Sequence, residues 1–325
     1  MAYLIGTDEA GYGPNLGPLL VCGTVWQILG DDQDLDLYRL LAAAVDRTPS
    51  TSTHYERIAI ADSKVLYRPA SGLRLLERAL LSCLGLLGRQ VTSWQQLWDE
   101  LAPESKPTRA TLPWYRDFQC ALPLANDANE ITSLTDLLQR TCDSSHVRLI
   151  SIASTAVFPG PFNDLIEIHG NKSTLLSLTT LSLVRQLLGE LDQGVVSEPI
   201  YVLCDKHGGR NRYGALLQQT FPEYLVEIHA EGATKSLYRW GPASQRVEFC
   251  FQARGESFLP VALASVTAKY LREAAMRAFN AFWCDQVSGL RPTAGYPVDA
   301  RRYRNQIESV RQRLTVDERD LWRMR

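Results

Sequence analysis

The sequence predicts an α/β fold with a partly parallel sheet flanked by helices. Short apolar runs recur at residues 3–7, 19–29, 148–158, 199–204 and 247–252, and the first and fourth of them end directly on acids. Between them, residues 73–87, 172–191 and 258–283 are rich in apolar side chains suited to helices. Strands that alternate with helices favour crossover connections, and hence parallel neighbours in the sheet.

Taken in order, residues 3–7 form a buried first strand that ends on Asp8-Glu9 and the glycine-rich turn 10–18. Residues 19–29, rich in Val, Cys, Thr and Trp, read as a second strand. Asp62-Ser63-Lys64 precedes the helix at 73–87, and Asp62 or Ser63 suits an N-cap. From about 90 to 147, prolines at 103, 107, 113 and 123 break any long periodicity around Trp94, Trp98 and Trp114, and this stretch reads as an insertion or small subdomain. A strand at 148–158 and an apolar helix at 172–191 follow. Residues 199–204 make a buried strand ending at Asp205. After the strand at 247–252 comes a long helix, 258–283, with Ala262, Ala264, Ser265 and Ala268 on one face, and two short helices fill the tail. The expected organisation is one domain over 1–290, with its insertion at about 90–147, and a basic helical extension over 291–325.

Composition narrows the class. The amino terminus has no basic run before Asp8-Glu9, so no secretory signal is expected, and no apolar stretch is long enough to span a bilayer. The expectation is a cytoplasmic monomer without membrane contact. Seven cysteines without a Cys-x-x-Cys pair read as reduced core thiols, and five scattered histidines suggest no imidazole metal site. A metal in this chain would have to be held by carboxylates. The net charge of −2 is unevenly spread: residues 291–325 carry nine arginines and five acids, a net +4, which leaves −6 for the rest. A basic tail on an acidic body fits carboxylates that hold metal while another surface meets phosphate, or simply a solvated charged helix.

The residues that carry chemistry are acids at strand ends. Neighbours on a strand point to opposite faces, so Asp8 and Glu9 can share one site only where the strand breaks. Asp205 stands at the carboxyl end of its strand, where open α/β sheets place functional groups, or it forms the turn. Glu273 sits inside the long helix, four residues after Lys269, a spacing that also suits a surface ion pair.

Together these segments resemble type 2 ribonuclease H. Asp8-Glu9-Ala10-Gly11-Tyr12-Gly13-Pro14 followed by Gly17-Pro18 resembles the family's Asp-Glu-Ala-Gly-Arg-Gly-Pro and Gly-Pro. Asp62-Ser63-Lys64 matches its Asp-Ser-Lys, and Asp205 its third acid. Residues 263–273 resemble its Ala-Ala-Ser-x-x-Ala-Lys-x-x-Arg-Asp helix, and Gly295-Tyr296-Pro297 its C-terminal Gly-Tyr segment. The matches run in family order over most of the chain outside 90–147. Two positions depart: Glu273 stands for an Asp, and Tyr12 for the Arg of the turn.

The resemblance implies a ribonuclease H-like mixed sheet flanked by helices and a site of Asp8, Glu9, Asp205 and Glu273 holding Mg²⁺ or Mn²⁺. Hard cations take oxygen ligands, and two of them can activate water and stabilise a leaving oxygen. The implied substrate is an RNA–DNA hybrid or duplex DNA with embedded ribonucleotides. Gly11, Tyr12 and Gly13 would read the 2′-hydroxyl, and Tyr296 would stack on the neighbouring sugar or else be a turn residue. Lys64 and Lys269 would partner phosphates or carboxylates. Tyr12 and Glu273 leave two other readings: a nuclease of the same fold acting on structured DNA, and a protein that binds nucleic acid without turnover.

Overall fold

A computed structural model of the chain describes residues 1–29, 35–49, 57–67, 72–192 and 198–324. The first strand, β1 (Ala2–Ala10), pairs antiparallel with β2 (Leu19–Ile28) across the glycine-rich turn. A short helix, α1 (Leu37–Leu40), and two two-residue strands, β3 (Val45–Asp46) and β4 (Ile58–Ala59), lead to α2 (Ser63–Leu66). Asp62 caps α2, its carboxylate accepting from the Lys64 N–H, whereas the sequence suggested this cap for the helix at 73–87, whose N-cap, Leu73, makes no side-chain hydrogen bond. The leucine-rich stretch is α3 (Arg74–Leu86).

The proline-broken region is helical. It comprises α4 (Trp94–Leu101), α5 (Lys106–Thr111), α6 (Pro113–Arg116) and α7 (Ala128–Ser144). Pro107 and Pro113 lie in the first turns of α5 and α6, where a missing N–H costs nothing. Trp94, Trp98 and Trp114 are buried and join one apolar cluster with the long C-terminal helix. Glu77 of α3 is fully buried and ties this region down. It accepts from the Leu124 and Ala125 N–H groups (2.5 and 2.7 Å), the Asn126 amide (2.9 Å) and the Tyr270 hydroxyl (2.6 Å).

The second half returns to the sheet through β5 (Val147–Val157), α8 (Pro159–His169), α9 (Lys172–Asp192) and β6 (Ile200–Asp205). Then come α10 (Gly214–Thr220), the hairpin β7 (Glu227–Glu231) and β8 (Lys235–Trp240), and β9 (Val247–Gln252). The chain closes with α11 (Leu259–Gln286), α12 (Pro297–Arg313) and α13 (Glu318–Leu321). Seven strands form one mixed sheet in the order β5-β2-β1-β6-β9-β8-β7, with β1, β6 and β9 parallel. Alternation along β1 sends Leu4 to the core under α11 and Ile5 to a second core under α9. Gly6 lets α11 approach: an added Cβ would lie 2.2 Å from the Pro260 carbonyl carbon. This is the mixed sheet flanked by helices that the sequence implied.

The seven cysteines are free, five of them buried. Among the described residues, no helix is long and apolar enough to cross a membrane. Of the nine arginines of the basic tail, four of the described ones are ion-paired within the molecule. Arg302 pairs with Asp299, Arg304 with Glu318, Arg311 with Glu308, and Arg319 with Asp164 and Glu167. The phosphate-facing reading of that tail therefore yields to internal ion pairing for these four.

Candidate active site

β1 pairs with β2 as far as Ala10, but with β6 only as far as Thr7 opposite Cys204. Asp8 and Glu9 thus sit on an unbroken strand, not a breaking one as the sequence suggested. Their side chains meet because the parallel neighbour has ended and a cleft opens beside them. This cleft, ≈ 230 Å³, is lined by Asp8, Glu9, Asp205 and residues 10–14, with Ser63, Lys64, Ser265, Lys269, Arg272 and Tyr296 around them.

Burial raises the Asp8 carboxyl well above the usual range, with the Glu9 charge adding to it and a Ser265 hydrogen bond opposing. Glu9 is pushed up to about 7, by burial first and then by Asp205. A cluster of acids that resists ionisation is an electrostatic cost that a cation relieves. Asp205, at the end of β6, accepts from the Gly255 N–H at 3.1 Å. Gly255 packs so close that an added Cβ would stand 3.1 Å from the Asp205 nitrogen. That contact draws Glu256 towards the cluster.

Glu256 is the acid that the sequence reading missed. Its carboxyl is raised by burial and by Asp205, and its charge in turn raises Asp8 and Glu9. Lys64 approaches it at 3.9 Å. Burial acts to lower Lys64, but Asp62, Glu256, Asp8 and Asp205 carry it above its ordinary value. Glu256 lies four residues past the end of β9, so the signal that singled out Asp205, an acid after a buried apolar strand, was present here too.

Like Glu256, the expected fourth acid Glu273 does not line the cleft. It is bound elsewhere: its Oε1 accepts from Lys269 Nζ at 2.5 Å and its Oε2 from the Tyr67 hydroxyl at 3.2 Å. The helix geometry explains this pairing. Glu273 lies one turn beyond Lys269 along α11, so the lysine faces the cleft and the glutamate orients it. Lys269 also stands 4.2 Å over the Tyr67 ring.

The glycine turn forms the other wall. Gly11 has φ +88°, and a Cβ there would meet the Pro18 carbonyl oxygen at 2.5 Å and Arg272 Nε at 2.6 Å, so only glycine fits. Gly13 is different: a Cβ there would touch only the Tyr296 ring, at 3.9 Å. Tyr12 is partly buried, and its hydroxyl lies 2.9 Å from where a Gly208 Cβ would stand. Tyr296 is 56% exposed at the rim, an aromatic face open to a ligand. His207, two residues past Asp205, is buried against Ser177 at 3.0 Å, and burial lowers it to about 3, which keeps it neutral.

The donor set suits a hard divalent cation. Among the described residues, no three His, Cys, Asp or Glu side chains are drawn together as a ready cage. Mg²⁺ needs none, since one or two carboxylates with water and substrate phosphate serve it.

No protein-family model matches the chain, and no curated protein matches it. Solved structures do. Ribonuclease HII from Archaeoglobus fulgidus, in its complex with PCNA, is 14% identical with a TM-score of 0.39, over 99% of this chain and 94% of that one. Ribonuclease H2 from Pyrococcus horikoshii OT3 is 14% identical with a TM-score of 0.38, over 98% and 92%. Bst-RNase HIII in complex with Mn²⁺ is 13% identical with a TM-score of 0.41, over 99% of this chain and 66% of that one.

Proposed function

We propose that the chain is a divalent-metal-dependent endonuclease of ribonuclease H type, acting on the RNA strand of RNA–DNA hybrids or at ribonucleotides embedded in duplex DNA. One observation carries this reading: Asp8, Glu9 and Asp205 line a single cleft together with a glycine turn, and the charge of Glu256 acts on them from beside it. A protein that only binds nucleic acid gains nothing from a cleft of clustered acids facing phosphate.

Mg²⁺ or Mn²⁺, when bound, supplies a water made acidic and a counter-charge for the leaving oxygen. Carboxylates from Asp8, Glu9 and Asp205, which line the cleft, would hold it together with water and substrate phosphate, with Glu256 adding negative charge beside them. Ser265 stands within hydrogen-bonding reach of Asp8 and is itself fixed by Ser63, donating to its hydroxyl at 3.0 Å and accepting from its N–H at 3.3 Å. Lys64 and Lys269 offer cationic partners to backbone phosphates at the cleft wall. Residues 11–13 let a sugar approach the backbone, where the 2′-hydroxyl separates RNA from DNA. Tyr296 offers its ring for stacking on the adjacent residue of the substrate.

The test is cleavage by purified protein, with Mg²⁺ or Mn²⁺, of matched RNA–DNA, single-ribonucleotide, RNA–RNA and DNA–DNA duplexes. Cleavage is expected for the first two alone, and Asp205→Asn should abolish it. Equal cutting of all-DNA duplex, or full activity in excess chelator, refutes the reading.

A further inference from the structure

The glycine turn is held from beneath by two arginines distant in sequence. Arg323 Nη2 donates to the Gly11 carbonyl at 2.6 Å and to the Pro14 carbonyl. Arg272 Nη2 donates to the carbonyls of Leu16 (3.3 Å) and Ala294 (3.0 Å), the second of these just before Gly295 and Tyr296. The backbone joins in. The Arg323 N–H donates to the Asn15 carbonyl (2.9 Å), the Asn15 amide returns a bond to the Arg323 carbonyl (3.1 Å), and Leu16 and Trp322 form an antiparallel bridge. Asn163 of α8 fastens the other side: its amide donates to the carbonyls of Arg319 and Trp322, and its oxygen accepts from the Met324 N–H.

Arg323 is fully buried, and its guanidinium lies 4.8 Å over the Phe162 ring. Its Nε and Nη1 have no hydrogen-bond partner among the described residues. Burial and the nearby charge of Arg272 pull it down to about 9. A buried cation without a carboxylate is an expensive core residue. What it gains is a grip on the turn, two carbonyls from positions three residues apart on one nitrogen.

We propose that Arg323 is a positioning residue for substrate reading. It fixes the turn through its outer carbonyls, so that the cleft-lining face of residues 11–13 keeps a single conformation. Discrimination between ribose and deoxyribose thereby depends on a side chain that never meets substrate. The proposal rests on the nuclease reading above, but its structural half can be tested without it.

The experiment compares wild type, Arg323→Ala and the exposed control Arg313→Gln by hydrogen–deuterium exchange and by cleavage of single-ribonucleotide and all-ribose-free duplexes. In Arg323→Ala, amides of residues 11–16 should exchange about tenfold faster while those of β1, β6 and β9 are unchanged, and the preference for the ribonucleotide duplex should fall about tenfold, the loss of one strong hydrogen-bonded contact. Millimolar guanidinium, filling the hole, should restore both, a rescue that a general packing defect would not show. Unchanged exchange at 11–16, exchange raised equally across the whole sheet, or losses that guanidinium does not reverse would each overturn the proposal. If Arg323→Ala does not fold, Arg323→Lys, which keeps the charge and loses the forked donors, carries the same readouts without the rescue. If wild type cuts no duplex, the nuclease reading falls and the exchange arm still decides the positioning role.

Discussion

Glu256 and Glu273 separate two roles that look alike on paper. Glu256 shares its field with three other acids, whereas Glu273 is already spoken for by Lys269 and Tyr67. Glu256→Gln should therefore lower kcat by orders of magnitude, while Glu273→Gln, acting through Lys269, should stay within about tenfold. Steady-state kinetics on a hybrid substrate decides, and the reverse ranking would return Glu273 to the metal. Asp8 makes a second prediction. Its carboxylate is buried beside Glu9, so Asp8→Asn should raise the thermal midpoint in chelator and abolish the further rise that Mn²⁺ gives wild type. A midpoint below wild type in chelator would mean that the charge is compensated in another way. Asp8, Glu9 and Asp205 were legible in the sequence because acids that end apolar runs leave a local trace. Glu256 left the same trace more faintly, four residues past its strand in a single turn of 3₁₀ helix, and the motif around Lys269 drew the reading to Glu273 instead.

At the scale of elements, the helices between 94 and 144 hang on one buried carboxylate. Glu77→Ala would leave four donors, two of them backbone, without their acceptor, at a cost of about 3 kcal/mol or more. Urea unfolding measures this, and a loss under 1 kcal/mol, of the order of one net hydrogen bond, would show that water replaces the acid. The same scale shows why the sequence was readable in parts. β2, β6 and β9 are apolar runs, and their bounds fall within a residue or so of the expected ones. The β7–β8 hairpin escaped notice. β7 is exposed along its length, and β8 buries Ser236, Tyr238 and Trp240, an alternation that polar and aromatic side chains disguise. Three of the four prolines that seemed to break the region after residue 90, Pro103, Pro107 and Pro113, are helix starts.

For the whole molecule, charge placement decides which surface meets a polyanion. Lys64 and Lys269 line the cleft, while Arg311 is bound to Glu308 and to the Val316 carbonyl. Lys64→Ala and Lys269→Ala should each raise KM and reduce its dependence on salt, and Arg311→Ala should do neither. Titrating the reactions with added NaCl gives the slopes, and an Arg311 effect as large as that of Lys64 would restore the tail as a binding surface.

The acids come from residues 8–9, 205 and 256, and the buried arginines that brace the turn from 272 and 323. A ribosome delivers these pieces in that order. A nascent chain that has exposed β1, β2 and β6 holds three of the acids but neither Glu256 nor the helix whose Ser265 orients Asp8. The growing polypeptide thus carries no finished cleft until α11 has emerged and docked, and no braced turn until residue 323 has followed. A chain released before residue 323 has been added therefore lacks the braced turn beside the acids.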